Sequence, residues 1–121
     1  MNLIISDGGR KGSSAYGSFK IFSESGDVLV HEQVVFGDYT SNQAEYLALI
    51  YALRKALLMN ITDVEIFVDS LLVKNQITGD FDCRSGNMLP LLEFSRKLLL
   101  QFNSYTLKKV RRNLVVNHLG H

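Results

Sequence analysis

Three acidic residues stand where a folded chain can bring carboxylates together. Asp7 closes a short apolar run at 2–6 and precedes Gly8 and Gly9. Asp69 closes a β-type run at 64–68, and Glu45 falls in the first turn of a long helical pattern. If the two runs are neighbouring parallel strands, Asp7 and Asp69 emerge side by side at one end of a sheet, and a helix laid across that sheet carries Glu45 to them. Carboxylates gathered this closely repel unless they share protons or hold a cation. An all-oxygen anionic set suits hard ions such as Mg²⁺ or Mn²⁺. A pair of such ions about 4 Å apart can stabilise the attacking and leaving oxygens of an in-line displacement at phosphorus.

Each acid also has a structural role open to it. Asp7 before two glycines is a turn residue, Glu45 stands three residues after Asn42 at capping-box spacing, and Asp69-Ser70 can cap the helix that follows. Joint placement at one predicted sheet edge favours the ligand reading, and Gly8 and Gly9 leave main chain there open to a close ligand approach.

The elements that must position these residues follow from periodicity. Alternating or aromatic runs at 15–23 and 28–36, separated by Ser25-Gly26-Asp27, make a three-stranded antiparallel meander with the first strand. A helix is expected over 41–59, where Ala44, Leu47, Ala48, Tyr51, Ala52 and Leu58 recur at helical spacing and other apolar residues fill much of the remaining circumference. A buried strand at 64–68, a short helix at 70–77, a loop at 78–87 and a helix at 88–102 with Pro90 in its first turn follow. A strand at 105–110 and a last helical stretch from 113 close the chain. The predicted class is α/β: a mixed five-stranded sheet, three antiparallel strands then two parallel, in order 3-2-1-4-5, with helices on both faces.

Composition bounds the rest. The 121 residues include one Pro, one Cys and no Trp, and carry a formal charge of +1. No repeat, low-complexity tract or linker divides them, so one domain over 1–121 is expected, large enough for a core without disulfides. Cys83 alone cannot form an internal disulfide, and three scattered histidines give no zinc framework. No apolar run reaches the roughly 20 residues that cross a bilayer, and no secretory signal pattern opens the chain. A cytoplasmic protein with no membrane partner, favoured as a monomer, is the expectation. The small net charge hides an asymmetry: residues 1–93 sum to −5 and residues 94–121 to +6. A basic end of this kind is either a solvated face or a surface for a polyanion.

Ile4-Ile5-Ser6-Asp7-Gly8-Gly9, Thr40-Ser41-Asn42-Gln43-Ala44-Glu45-Tyr46 and Val64-Glu65-Ile66-Phe67-Val68-Asp69-Ser70-Leu71-Leu72-Val73 closely resemble the three acidic motifs of the ribonuclease H type 1 family. The likeness covers nearly the whole chain. It implies a metal-dependent endonuclease that cuts the RNA strand of an RNA/DNA hybrid and leaves 5′-phosphate and 3′-hydroxyl ends. Asp7, Glu45 and Asp69 match the metal-binding carboxylates of that family. Asn42 matches a residue that contacts the hybrid near the cut, Thr40 one that grips a DNA phosphate, and Gly9 would bring main chain against the RNA sugar edge. Gly8, Gln43 and Ser70 belong with them at the implied substrate surface. An A-like hybrid exposes 2′-hydroxyls in a wide, shallow minor groove, which suits recognition without regard to sequence.

The chain departs from the family pattern at its end. Asn113-Leu114-Val115-Val116-Asn117-His118-Leu119 places Asn117 where the family carries its fourth acid. An amide oxygen coordinates a hard cation without contributing charge, so Asn117 implies weakened metal binding and weakened catalysis. The mobile His of many bacterial members has no counterpart between Val110 and Asn113, and the basic protrusion some members insert is reduced to Arg84. Arg10, Lys11, Lys74, Lys108, Lys109, Arg111 and Arg112 are left as candidates for holding a polyanion. These departures keep a second reading open: a catalytically impaired module that binds hybrid or double-stranded RNA. Cys83 has no neighbouring base and reads as a bystander thiol, and Gly8 to Gly12 lacks the spacing of a nucleotide-binding loop.

Overall fold

The structure is a computed structural model, and it describes residues 1–110. Five strands form one sheet: β1 (Asn2–Lys11), β2 (Ser14–Phe22), β3 (Val28–Gly37), β4 (Asp63–Val68) and β5 (Ser104–Lys109). Helix α1 (Ser41–Leu58) follows the meander, while α2 (Leu71–Thr78) and α3 (Leu89–Leu99) lie between β4 and β5. The strand order is β3-β2-β1-β4-β5. β1–β2 and β2–β3 pair antiparallel, and β1–β4 and β4–β5 pair parallel. This is the predicted sheet.

β1 runs longer than its apolar run suggests. It continues through Gly8 and Gly9 to Lys11, and the chain reverses at Gly12, whose φ of +62° favours glycine. Asp7 is therefore a mid-strand residue opposite Ser18 and not a turn residue. β4 stops sooner: its last pair with β1 is Ser6–Val68. Asp7 is the first β1 residue past that pairing, and Asp69 is the first residue past β4. Their common edge is set by where β4 ends.

The main core lies between the sheet and the three described helices. Ile4, Phe19, Ile21, Val64, Ile66 and Val68 from the strands meet Leu49, Leu53, Val73, Ile77, Leu92 and Leu99 from the helices. Ala44, Ala48, Ala52 and Ala56, spaced by four and all almost fully buried, form a smooth stripe along α1. The stripe rests on paired glycines of the two strands beneath it. A Cβ on Gly8 would stand 2.3 Å from the Ala44 carbonyl oxygen, and one on Gly17, its cross-strand partner, 2.9 Å from the Ala48 Cβ. Small residues on both surfaces bring the helix close enough for its start to touch β1.

Ile5, with Leu3, Phe22, Phe67 and Val110 packed around it, forms a smaller apolar cluster on the opposite sheet face. The helical stretch expected from residue 113, which would supply the second helical face, lies outside the described residues, as does Asn117.

Candidate metal centre

Helix α1 opens with a capping box two residues earlier than the Asn42–Glu45 spacing suggests. The N-cap is Thr40: its Oγ1 accepts from the Gln43 N–H at 3.1 Å, and the Gln43 Oε1 accepts from the Thr40 N–H at 2.9 Å. Glu45 is thereby released from the capping role that the Asn42–Glu45 spacing offered, and it sits one turn into the helix instead of in its first turn. Arg10 steadies the approach to the cap. It donates to the Tyr39 carbonyl at 2.7 Å and the Gly12 carbonyl at 3.0 Å and pairs with Asp38 at 3.3 Å. That ties the end of β1 to the segment leading into α1.

Asp69 is fixed by the strand behind it and the helix ahead. Ser70 is the N-cap of α2, its Oγ accepting from the Val73 N–H at 3.1 Å. Gly79 ends that helix in the left-handed region at φ +90°. Ser70 thus takes the capping role, while Asp69 turns to the acids.

Asp7, Glu45 and Asp69 each offer a carboxylate oxygen, and these oxygens lie within 4.8 Å of one another. It is the one such cluster of His, Cys, Asp and Glu among the described residues. Asp7 is 1% exposed, and the other two are partly buried. Burial, then the charges of Asp7 and Asp69, push the Glu45 carboxyl up to about 9; a hydrogen bond with Asp7 adds to the rise, and one from the Gly8 N–H opposes it. Near neutral pH the cation-free cluster thus keeps a proton between Glu45 and Asp7. The donor set is hard, anionic and incompletely neutralised, which fits Mg²⁺ or Mn²⁺ and does not suit a soft metal.

The other predicted site residues surround this centre unevenly. The room left at Gly8 is taken up by α1 itself, and a Cβ on Gly9 would meet the Tyr16 hydroxyl at 2.8 Å. Thr40 and Asn42 are exposed at the start of α1, close in sequence to Glu45. Both polar ends of Gln43 have partners, Thr40 and, at 3.4 Å, the Asn87 carbonyl oxygen.

Sequence reasoning passed over Tyr46, which is fully buried and donates to Gln76 Oε1 at 2.6 Å. Burial, with a smaller contribution from Cys83 and against the pull of Arg96, raises its phenol above the usual range, so it remains a donor. Tyr46 and Gln76 are 30 residues apart, and a polar residue on the buried face of each helix was their only signal.

The sequence pattern of the reverse transcriptase-like family matches residues 6–117. A ribonuclease HI of Halobacterium salinarum is 34% identical over 104 residues, covering 86% of this chain and 52% of that protein. A bifunctional protein of Mycobacterium tuberculosis is 29% identical over 113 residues, covering 91% of this chain and 31% of that protein. The chain thus spans about half the length of the first of these curated relatives and about a third of the second.

Among solved structures, the RNase H1 of Halobacterium salinarum superposes with a TM-score of 0.92 at 30% identity, over 98% of this chain and 92% of that one. The N-terminal RNase H domain of a Mycobacterium tuberculosis protein gives 0.90 at 27%, over 98% and 94%. LC11-RNase H1, crystallised in complex with an RNA/DNA hybrid, shares the fold with a TM-score of 0.89 at 23% identity, over 98% and 93%. Matched across nearly its whole length in sequence and in strand order, the chain is homologous to ribonuclease H1 and belongs to the reverse transcriptase-like family with the ribonuclease H fold.

Proposed function

We propose that this chain is a divalent-metal-dependent endonuclease that hydrolyses the RNA strand of RNA/DNA hybrids, giving 5′-phosphate and 3′-hydroxyl ends, with turnover weakened by Asn117. The observation that carries this reading is the meeting of the Asp7, Glu45 and Asp69 carboxylate oxygens within 4.8 Å. Asp7, Glu45, Asp69 and Asn117 would hold a pair of Mg²⁺ or Mn²⁺ ions. Such ions supply charge stabilisation at the attacking and leaving oxygens of a phosphodiester.

The chain's own groups have separable tasks. Glu45 would give up the proton it holds beside Asp7 on taking a cation, and the Gly8 N–H, which donates to its carboxylate, would favour that charged form. Thr40 and Asn42, exposed beside the centre, would contact the hybrid backbone, and Gly9 would face the sugar edge of the RNA. Gly8, Gln43 and Ser70 would shape that surface chiefly through the helix starts they fix. The relative that was crystallised with an RNA/DNA hybrid supports this choice of substrate. A cytoplasmic, monomeric protein acting on hybrids is the corresponding biological setting.

The test is cleavage of an end-labelled hybrid by purified protein in Mg²⁺ and in Mn²⁺, beside the variants Asp69→Asn and Asn117→Asp. Asp69→Asn should abolish cutting and Asn117→Asp should raise it. Intact RNA with both metals and folded protein would remove the enzyme reading. Salt-sensitive hybrid binding without turnover would favour the binding module to which Asn117 points.

A further inference from the structure

Behind the acidic cluster lies a buried polar network with no part in coordination. Tyr46 is the residue after Glu45 on α1, and its hydroxyl donates to Gln76 Oε1 at 2.6 Å. Gln76 is 3% exposed and sits in the last turn of α2, the short helix that starts directly after Asp69 and Ser70. Its Nε2 donates to the Asp82 carbonyl oxygen at 3.4 Å. The end of α2 is also held from α3: Arg96 donates to the main-chain carbonyls of Gln76 at 2.7 Å and Ile77 at 3.2 Å. The Gln76 carbonyl also accepts from the Gly79 N–H at 3.2 Å, and Arg96 sets a cation against the negative end of the helix dipole.

We propose that the Tyr46–Gln76 hydrogen bond is a positioning device that fixes the spacing between Glu45 and Asp69 and thereby sets how tightly the cluster holds a divalent cation. The inference rests on the reading of that cluster as a cation site. One end of the bond is on the helix that carries Glu45, and the other is on the helix that begins beside Asp69. An eight-residue helix held at its capped start and by Val73 and Ile77 in the core can still tilt about those contacts, and tilting moves the neighbouring Asp69. With its far end tied to Tyr46 and Arg96, α2 becomes a strut between the two metal-facing segments. Neither Tyr46 nor Gln76 is a catalytic residue on this account. They act through Glu45 and Asp69, as groups behind a ligand shell commonly do.

The experiment titrates Mn²⁺ into the whole chain by calorimetry at one fixed pH, with thermal unfolding recorded alongside. It compares the wild type, Tyr46→Phe, Gln76→Met and the double variant. Tyr46→Phe leaves the Gln76 oxygen buried and unpaired, whereas the double variant replaces both partners with apolar groups of similar shape and should recover most of the lost stability. Groups behind metal ligands typically contribute about 10- to 100-fold in affinity, and a tie one step further removed should contribute about 3- to 10-fold.

The expected result is a Mn²⁺ dissociation constant raised by that factor in Tyr46→Phe and still raised in the double variant after its unfolding temperature has returned. Affinity unchanged in Tyr46→Phe, or recovering in step with stability, would overturn the proposal. Should Tyr46→Phe fold poorly, the double variant gives the same comparison. If the wild type binds Mn²⁺ but leaves hybrids intact, the nuclease reading fails while the affinity comparison still decides the role of the bond. If the wild type binds no Mn²⁺, both fail.

Discussion

Replacing Gly8 with alanine should damage stability and the acidic cluster together. The added Cβ would stand 2.3 Å from the Ala44 carbonyl oxygen, 2.4 Å from its carbon and 2.6 Å from the Glu45 nitrogen. All three are main-chain atoms of α1, so no side-chain rotation relieves the clash. Restoring ordinary contact requires the start of α1 to lift by about 1 Å, and overpacking of this kind costs about 1–3 kcal/mol. The displaced segment includes Glu45 itself and would pull its carboxylate away from the Gly8 N–H of β1. Misplacing a reacting constellation by about 1 Å is enough to lower a rate about 100-fold.

Urea unfolding should therefore give a lower midpoint with an unchanged slope, and hybrid cleavage at saturating Mg²⁺ should fall by about two orders of magnitude. The substitution Gly86→Ala is the control, because a Cβ there meets nothing within 4 Å. Wild-type stability and wild-type cation affinity in Gly8→Ala would refute the claim that close approach of the helix assembles the site.

Further perturbations test separate parts of the account. Without divalent cation, the raised Glu45 pKa means that the folded chain binds more protons than the unfolded chain between about 4.5 and about 9. This contribution to stability is full below the lower value and is lost as pH rises through the upper one. Unfolding midpoints at several pH values should show that decline, and proton release on Mn²⁺ addition at neutral pH should accompany it; a flat profile with no release would contradict the shared proton. Ser6, 1% exposed, has a hydroxyl oxygen with no hydrogen-bond partner among the described residues. Ser6→Ala should therefore stabilise the protein by about 1 kcal/mol in urea unfolding, and a loss of that size would show that the hydroxyl is satisfied. Thr40→Ala removes the cap of α1 and should cost about 1 kcal/mol, with most of it restored in Thr40→Ser.

The architecture was legible because each strand and helix carries its own period, and a helix between two β-type runs forces a parallel crossover. The three acids were legible because Asp7 and Asp69 each close an apolar run and Glu45 falls near the start of a helical pattern. Their detailed supports were harder to read. Gly8-Gly9 resembles a turn in isolation, and only the alanine stripe of α1 shows that the glycine at 8 serves helix approach within a continuing strand. Thr40–Gln43 and Asn42–Glu45 have the same capping spacing, and the choice depends on which residue's backbone starts the helix. The Tyr46–Gln76 bond joins residues that are each ordinary helix interior, so local pattern carries almost no trace of it. Asn117 is conspicuous in sequence, and its place lies outside the described residues.

The most direct measurement is Mn²⁺ titration of the wild-type chain and of Asp7→Asn, with folding of both verified by circular dichroism. The account predicts saturable binding to the wild type and its loss when the buried carboxylate at position 7 is neutralised. Equal binding by the two proteins, or none by the folded wild type, would contradict it.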